Sequence, residues 1–383
     1  MTPRMCAPRL IAPSISLLML MACGPIGASG SDAGRAGAGS AAGATGSAGD
    51  GGASGELPVA SNVGQILVEG VSVWRGNATA AYSIIHDDAC DYPLDSLFTT
   101  AEPALTARGL RAAFGAIVER CQERKVWDKL EVMVSHGHEI VCHSWTHPDF
   151  IDDKPDLAVQ IDQATSVLAA NVPDQKVQYF IFPYDSFTQP MIDHLAAIGY
   201  SGARAGTKGV NPPDFPDSLR GDFDVYNGEN SIYYPAFSDV LKAYVDDAIA
   251  KGGWAIREFH GVQDTSWETV PTTDYEAHLD YIKAKVDAAE LWVDTPSTVG
   301  HYRFARQYCN TPTVDGGTLT FVEPSAQCLA NATPLSVLIQ TELDAAVLSA
   351  TQNGKAVKVQ RLAEKRYLVD MNPSQGRVVL HGE

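Results

Sequence analysis

Between residues 61 and 306 the chain alternates short apolar runs with amphipathic stretches, and several apolar runs stop at a polar residue with chemical potential. Residues 80–85 read as a buried strand that ends at His86, Asp87 and Asp88. A second strand is predicted over 110–118 and an amphipathic helix over 126–135. A third strand, 139–142, ends at two histidines four positions apart, His143 and His147, with Pro148 closing the segment. Further strands are predicted at 177–182, 199–204, 253–259 and 291–293. Helices are predicted at 156–170, 189–198, 237–251, 275–289 and 297–307. Strands alternating with helices predict an α/β chain with parallel pairing. Some seven units in about 245 residues fit a distorted, closed or nearly closed (β/α) barrel better than an open sheet.

Beyond residue 309 the pattern changes. Short β-type runs at 335–340, 357–359, 367–369 and 377–380, with a turn signal at Asn353-Gly354, predict a small all-β accessory domain, read as a sandwich. Packing or oligomer contacts are its expected role, ahead of carbohydrate binding. The division is therefore 59–309 for the barrel and 310–383 for the β domain, together about 325 residues, a usual size for one large and one small domain.

The first residues belong to neither. Arg4 and Arg9 precede an apolar stretch, 10–21, that is short for a membrane span. It ends in Leu20-Met21-Ala22-Cys23, which resembles a bacterial lipoprotein signal (1–22) with Cys23 as the lipidated residue. Residues 23–58, mostly Gly, Ala and Ser, read as a flexible linker, since they cannot bury enough surface to offset chain entropy. Export, with a lipid anchor at the cell envelope or cell surface, is the expectation. Removing residues 1–22 takes away two arginines, so the formal charge goes from −18 to −20. Such an acidic body argues against nucleic acid and other polyanions as partners.

Cys309 and Cys328 bracket a loop-rich stretch, which suits a disulfide. Among Cys90, Cys121 and Cys142 the sequence allows one further pair without choosing it.

Asp87, Asp88, His143, His147, Tyr184, Arg204 and His260 all fall at the C-terminal ends of predicted strands, the face on which parallel barrels build their active sites. Two imidazoles at i and i+4 lie on one side of a helical turn and can reach one cation. Taken singly, each residue also has a plainer reading. The aspartates could cap a helix, His260 could be a satisfied core histidine, Tyr184 a packing aromatic, and Arg204 half of a surface ion pair. Their shared placement favours chemistry.

The order of Asp-Asp, His-Ser-x-x-His, aromatic-Pro-Tyr and a strand-terminal histidine resembles the NodB-type polysaccharide deacetylases, carbohydrate esterase family 4, over roughly residues 61–306. Gly137-His138-Glu139-Ile140-Val141-Cys142-His143-Ser144-Trp145-Thr146-His147 carries the resemblance most closely. It implies a His2Asp metal site of Asp88, His143 and His147, with zinc the expected divalent cation. It implies Asp87 as base, His260 as general acid, and Tyr184 as the residue whose backbone N–H holds the oxyanion. The reaction implied is hydrolytic removal of acetyl groups from an N-acetylated glycan: peptidoglycan, a chitin-like polymer or an exopolysaccharide. Three ligands leave a cation open to substrate. A poor amine leaving group requires the acid, and the attacking water requires the base.

Two features depart from the pattern. Ile181 stands where the family commonly carries an arginine that orients the base, and the usual Asp-containing fourth motif is not recognisable. Arg204, at the next strand end, is the candidate replacement. His86 stands where the family has an aromatic and reads as structural filling, and His136 and His138 as parts of the turn before the third strand. The alternatives are a carbohydrate-binding surface protein that keeps the metal without turnover, and an O-acetyl esterase.

Overall fold

The computed structural model describes residues 63–92, 95–206, 208–214, 223–228, 237–342 and 348–382. The expected signal and linker lie outside the described residues. Among the described residues no helix is long and apolar enough to cross a membrane.

The barrel is built from β2 (Ala80–Ala89), β3 (Ala113–Ala116), β4 (Glu139–Cys142), β5 (Tyr179–Ile181), β6 (Gly202–Ala205), β7 (Asp224–Asn227) and β8 (Trp254–Phe259), all parallel, in the order β7-β6-β5-β4-β3-β2-β8. β9 (Leu291–Val293) pairs with the start of β2. The expected β/α barrel of about seven units is present. β7 and β8 are joined through one residue rather than by direct pairing. Asn211 exchanges both backbone hydrogen bonds with Trp254 (2.8 Å each), and its side-chain amide bonds the backbone of Asn227 on β7 (2.9 and 3.0 Å). A side-chain amide thus carries out the pairing that a strand would supply.

Helices α1 (Glu102–Ala107), α2 (Val118–Arg124), α3 (Trp127–Ser135), α4 (Ala164–Asn171), α5 (Gln189–Ala197), α6 (Phe237–Lys251), α7 (Thr272–Asp287) and α8 (Pro296–Tyr308) intervene between strands or follow them. Because strand side chains alternate between faces, two apolar layers result. Tyr82, Ile84, Phe114, Ile140, Phe180, Ala203, Ala255 and Phe259 belong to the layer shared with the helices. Ala81, Ile85, Ala113, Val141, Tyr179, Ile181, Tyr226, Trp254 and Ile256 fill the barrel interior, with Trp74 and Val299 of α8 in the same cluster.

Glu139, the first residue of β4, is buried against the start of α8, where Ser297 donates to it from both its hydroxyl and its amide. Burial pushes its carboxyl up to about 7, against the lowering effect of the Ser297 and Thr295 hydrogen bonds. A carboxyl whose folded value is raised contributes stability below its unfolded value and loses it as pH rises through the folded one. Wild-type stability is therefore expected to fall between pH 4.5 and about 7 from this group. Glu139→Gln, which keeps the acceptor but not the charge, should flatten that part of the thermal-unfolding profile; an unchanged slope would exclude Glu139 as its source.

The remaining strands form two antiparallel sheets. One has the order β1-β12-β16-β15, from Ile66–Val71, Leu335–Thr341, Arg366–Met371 and Val359–Ala363. The other runs β10-β11-β17-β13-β14, from Thr313–Asp315, Thr318–Thr320, Val378–Gly382, Leu348–Gln352 and Lys355–Ala356. Both contribute to one apolar core that includes Leu335, Val337, Leu348 and Leu380 together with Tyr302 and Ala305 of α8. The division by residue number misplaces one element: β1, grouped with the barrel by the boundary at 59, pairs with β12 and completes the C-terminal sheet. Its run Ile66-Leu67-Val68-Glu69-Gly70-Val71 shows weak alternation, and its partner lies some 270 positions away in the chain.

Two disulfides are present among the described residues. Cys309–Cys328 is the expected pair, and Cys90–Cys121 resolves the open choice, leaving Cys142 buried and reduced.

Candidate active site

The alternation that sorts the core also assigns the polar residues. Positions of the interior parity continue to the strand ends as Asp87 on β2, His143 beyond β4, Arg204 on β6, and Glu258 and His260 on and beyond β8. They open on a cleft of about 600 Å³ that is also lined by Asp88, His147, Tyr184 and Trp267. His86, one position out of that parity, points the other way. It is buried, stacked with Phe114 and Phe259, and bonded to the His260 carbonyl (2.7 Å) and the Tyr275 hydroxyl (2.8 Å). Burial lowers its imidazole to about 4. It is the structural filling expected of it. His138 is likewise buried in the turn before β4, between the Ala112 amide and the Thr106 hydroxyl.

Successive strand residues face opposite ways, so Asp87 and Asp88 need a reason to share one cleft. The backbone supplies it: Asp88 is left-handed (φ 59°), and the β2–β3 register slips between His86 and Ala89. The bulge turns the second carboxylate back beside the first.

Asp88 Oδ1 lies 3.3 Å from Nε2 of both His143 and His147, and Oδ2 lies 3.6 Å from Nε2 of His260. The histidine segment is not the helical turn that the i, i+4 spacing suggested. It is a loop with left-handed Ser144 (φ 67°) and His147 (φ 62°), closed by a bond from the His147 amide to the Ser144 hydroxyl (2.9 Å). The two rings meet at 4.7 Å because the chain reverses.

A carbonyl only accepts, so the 3.0 Å contact of His143 Nδ1 with the Ile181 oxygen places a hydrogen on Nδ1. That leaves Nε2 to face Asp88 Oδ1, a buried oxygen without a hydrogen bond of its own. An anionic oxygen and two imidazole nitrogens converge where only a cation, a proton or a metal ion, can lie between them. The donor set fits a divalent ion of the zinc type, with a carbonyl partner orienting the ligand from behind. Electrostatics agree. Burial acts to raise Asp88, yet His143, His147 and His260 hold its carboxylate far below the usual range. His147 is pushed down to about 4 by burial and then by the charge of His143. Burial also opposes the charge on His143, but Asp88 and Asp87 raise it.

Arg204 is fully enclosed. One terminal nitrogen bonds Asp87; the other bonds Glu258 and lies 3.3 Å from Asp185. Arg204 and Ile181 are register partners across β5 and β6. The cation expected at 181 therefore reaches Asp87 from the adjacent strand at the same level. Glu258, which the sequence reading passed over, belongs to this cluster, and burial raises its carboxyl well above normal against the attraction of Arg204. Asp185 is raised in the same way, by burial against Arg204. Tyr184 is left-handed (φ 53°) and 68 % exposed, with its ring 4.6 Å from His147. Trp267, 57 % exposed, stands 5.0 Å from His260. Tyr184 thus stands against His147 and Trp267 against His260 in the same cleft. All seven residues singled out in the sequence line it.

Residues 81–203 match the polysaccharide deacetylase family model, a segment that runs from the second residue of β2 to the second of β6 and holds the three cation-facing side chains. The match bears out, over that segment, the resemblance to the NodB-type polysaccharide deacetylases, carbohydrate esterase family 4. Similar solved structures include the CE4 domain of a multidomain xylanase from the hindgut metagenome of Trinervitermes trinervoides (16 % identity, 60 % of this chain, 92 % of that one, TM-score 0.39). A putative polysaccharide deacetylase from Mycobacterium smegmatis is 11 % identical over 66 % of this chain and 99 % of that one, TM-score 0.47. A CE4 family pseudoenzyme from Bacillus anthracis is 15 % identical over 58 % and 66 %, TM-score 0.40. No curated protein matches the chain.

Proposed function

We propose that the protein is a divalent-metal-dependent hydrolase that removes acetyl groups from the amine nitrogens of an N-acetylated glycan. The observation that carries this reading is the convergence of Asp88 Oδ1, His143 Nε2 and His147 Nε2, with Asp87 and His260 beside them in one cleft. Asp88, His143 and His147 would hold the ion, which when bound supplies Lewis acidity toward an acetyl carbonyl and a water. Zinc is the ion this donor set favours.

The chain's own residues supply the proton transfers. Asp87, aligned by Arg204, takes a proton from the attacking water as its oxygen bonds to the acetyl carbon. The Tyr184 amide donates to the carbonyl oxygen as negative charge develops there. His260 gives a proton to the departing nitrogen as the C–N bond breaks, leaving acetate and a sugar amine. Tyr184 and Trp267 offer faces on which pyranose rings can pack. Export, and a tether through Cys23, belong to the same proposal and are supported by the leader and linker composition.

The test measures acetate released from N-acetylglucosamine oligomers and peptidoglycan by the metal-stripped chain, before and after zinc loading. Release is expected only after loading and is expected to be absent from Asp88→Ala. No acetate from any N-acetylated or O-acetylated glycan, at one zinc per chain, would favour the binding protein instead. Release from O-acetyl esters alone would favour the esterase.

A further inference from the structure

We infer that the Cys90–Cys121 disulfide and α2 together form a brace that sets the spacing between Asp88 and the histidine loop, and so the affinity of the site for its cation. The inference rests on the metal reading proposed above. Two segments carry the ligands: the turn leaving β2, with Asp88, and the loop leaving β4, with His143 and His147. Both are in unfavourable backbone states, with left-handed Asp88 and Cys90 (φ 79°) in the first and left-handed Ser144 and His147 in the second. Non-glycine residues persist in that region only where surrounding structure imposes it.

α2 is the structure that touches both. Its first amides, Val118 and Glu119, donate to the carbonyls of Ser144 (3.1 Å) and Trp145 (3.0 Å) inside the histidine loop. Its Cys121 is bonded to Cys90, two residues past Asp88, and its Arg124 donates to the carbonyls of Cys90 (3.1 Å) and Asp91 (2.8 Å). Ile117, just before the helix, donates to Ala89 (3.2 Å). Within the turn, Asp91 donates to the Asp88 carbonyl (3.0 Å). Of these links the disulfide alone is covalent. Without it, the Asp88 turn is held by hydrogen bonds against two left-handed residues, and Asp88 Oδ1 can leave the position 3.3 Å from both histidines. Residues that orient metal ligands from behind typically govern affinity by about 10–100-fold. Cys309–Cys328 has no such link, since it joins the end of α8 to α9 (Ala326–Ala330) within the core of the C-terminal sheets.

The experiment compares Cys90→Ala/Cys121→Ala with Cys309→Ala/Cys328→Ala in the full chain, reading zinc affinity by chelator competition and stability by thermal unfolding. Both variants should unfold at lower temperature. Only the first should bind zinc about 10–100-fold more weakly, the second staying within about twofold of wild type. Should the first variant fail to fold, Cys90→Ser/Cys121→Ser serves in its place and should show the same loss. Unchanged zinc affinity in folded protein lacking the Cys90–Cys121 bond overturns the brace and leaves the metal reading standing. Wild-type protein that binds no zinc overturns both.

Discussion

Asp87→Asn is expected to lower kcat by about 10²–10⁴, the usual contribution of a positioned base, while KM changes little and one zinc still binds per chain. The substitution keeps the shape of a side chain that is buried and bonded to Arg204. It removes the capacity to accept a proton from water, together with the charge that faces Arg204. Asp88 and the two histidines are left in place, so the cation site should survive, and Arg204 keeps its contacts with Glu258 and Asp185. Steady-state acetate release with metal analysis of the same preparation checks this. A variant with full kcat would remove Asp87 from the mechanism, and one that loses zinc would show that the residue serves the site rather than the reaction.

Arg204→Met should cost stability as well as activity. The guanidinium is the common partner of Asp87, Asp185 and Glu258, and neither it nor Asp87 or Glu258 is open to solvent. Methionine fills much of the volume but leaves three carboxyl groups facing one another. Removing one partner from a buried ionic cluster typically costs about 3–5 kcal/mol, and chemical denaturation of the two proteins measures it. The pH dependence has a definite sign. Burial already raises Glu258 and Asp185, with Arg204 opposing; without Arg204 both rise further. A raised carboxyl is stabilising below its unfolded value and loses that contribution as pH rises through the folded one. The deficit of Arg204→Met should thus be smallest at acidic pH and grow toward neutrality. A deficit independent of pH would point to packing rather than charge. Activity should fall with it, because Asp87 loses the group that aims it.

Much of this site is legible from strand parity. Asp87, His143, Arg204 and His260 share the interior parity at strand ends, and the alternation shows it without coordinates. Glu258 is legible by the same rule, two positions before His260, but nothing local marks a glutamate inside Trp254–Phe259 as a partner for a cation on another strand. His86 illustrates the converse: adjacent to the aspartates in sequence, it is excluded from the cleft by the same alternation. Spacing misled at His143 and His147, since i, i+4 suggests a helical turn and the chain instead reverses through left-handed residues.

By itself the sequence determined the β/α alternation, the strand-terminal polar residues, the Cys309–Cys328 pair and the family resemblance, because these depend on local periodicity, short spacing and a contiguous motif. Only the tertiary structure decided that Cys90 pairs with Cys121, that Ile66–Val71 completes the C-terminal sheet, and that Asn211 joins β7 to β8. It alone placed Arg204 beside Asp87 and Glu258, partners 117 and 54 positions away. Register between distant strands depends on the packing of the whole barrel, and no local pattern records which side chains will stand opposite one another.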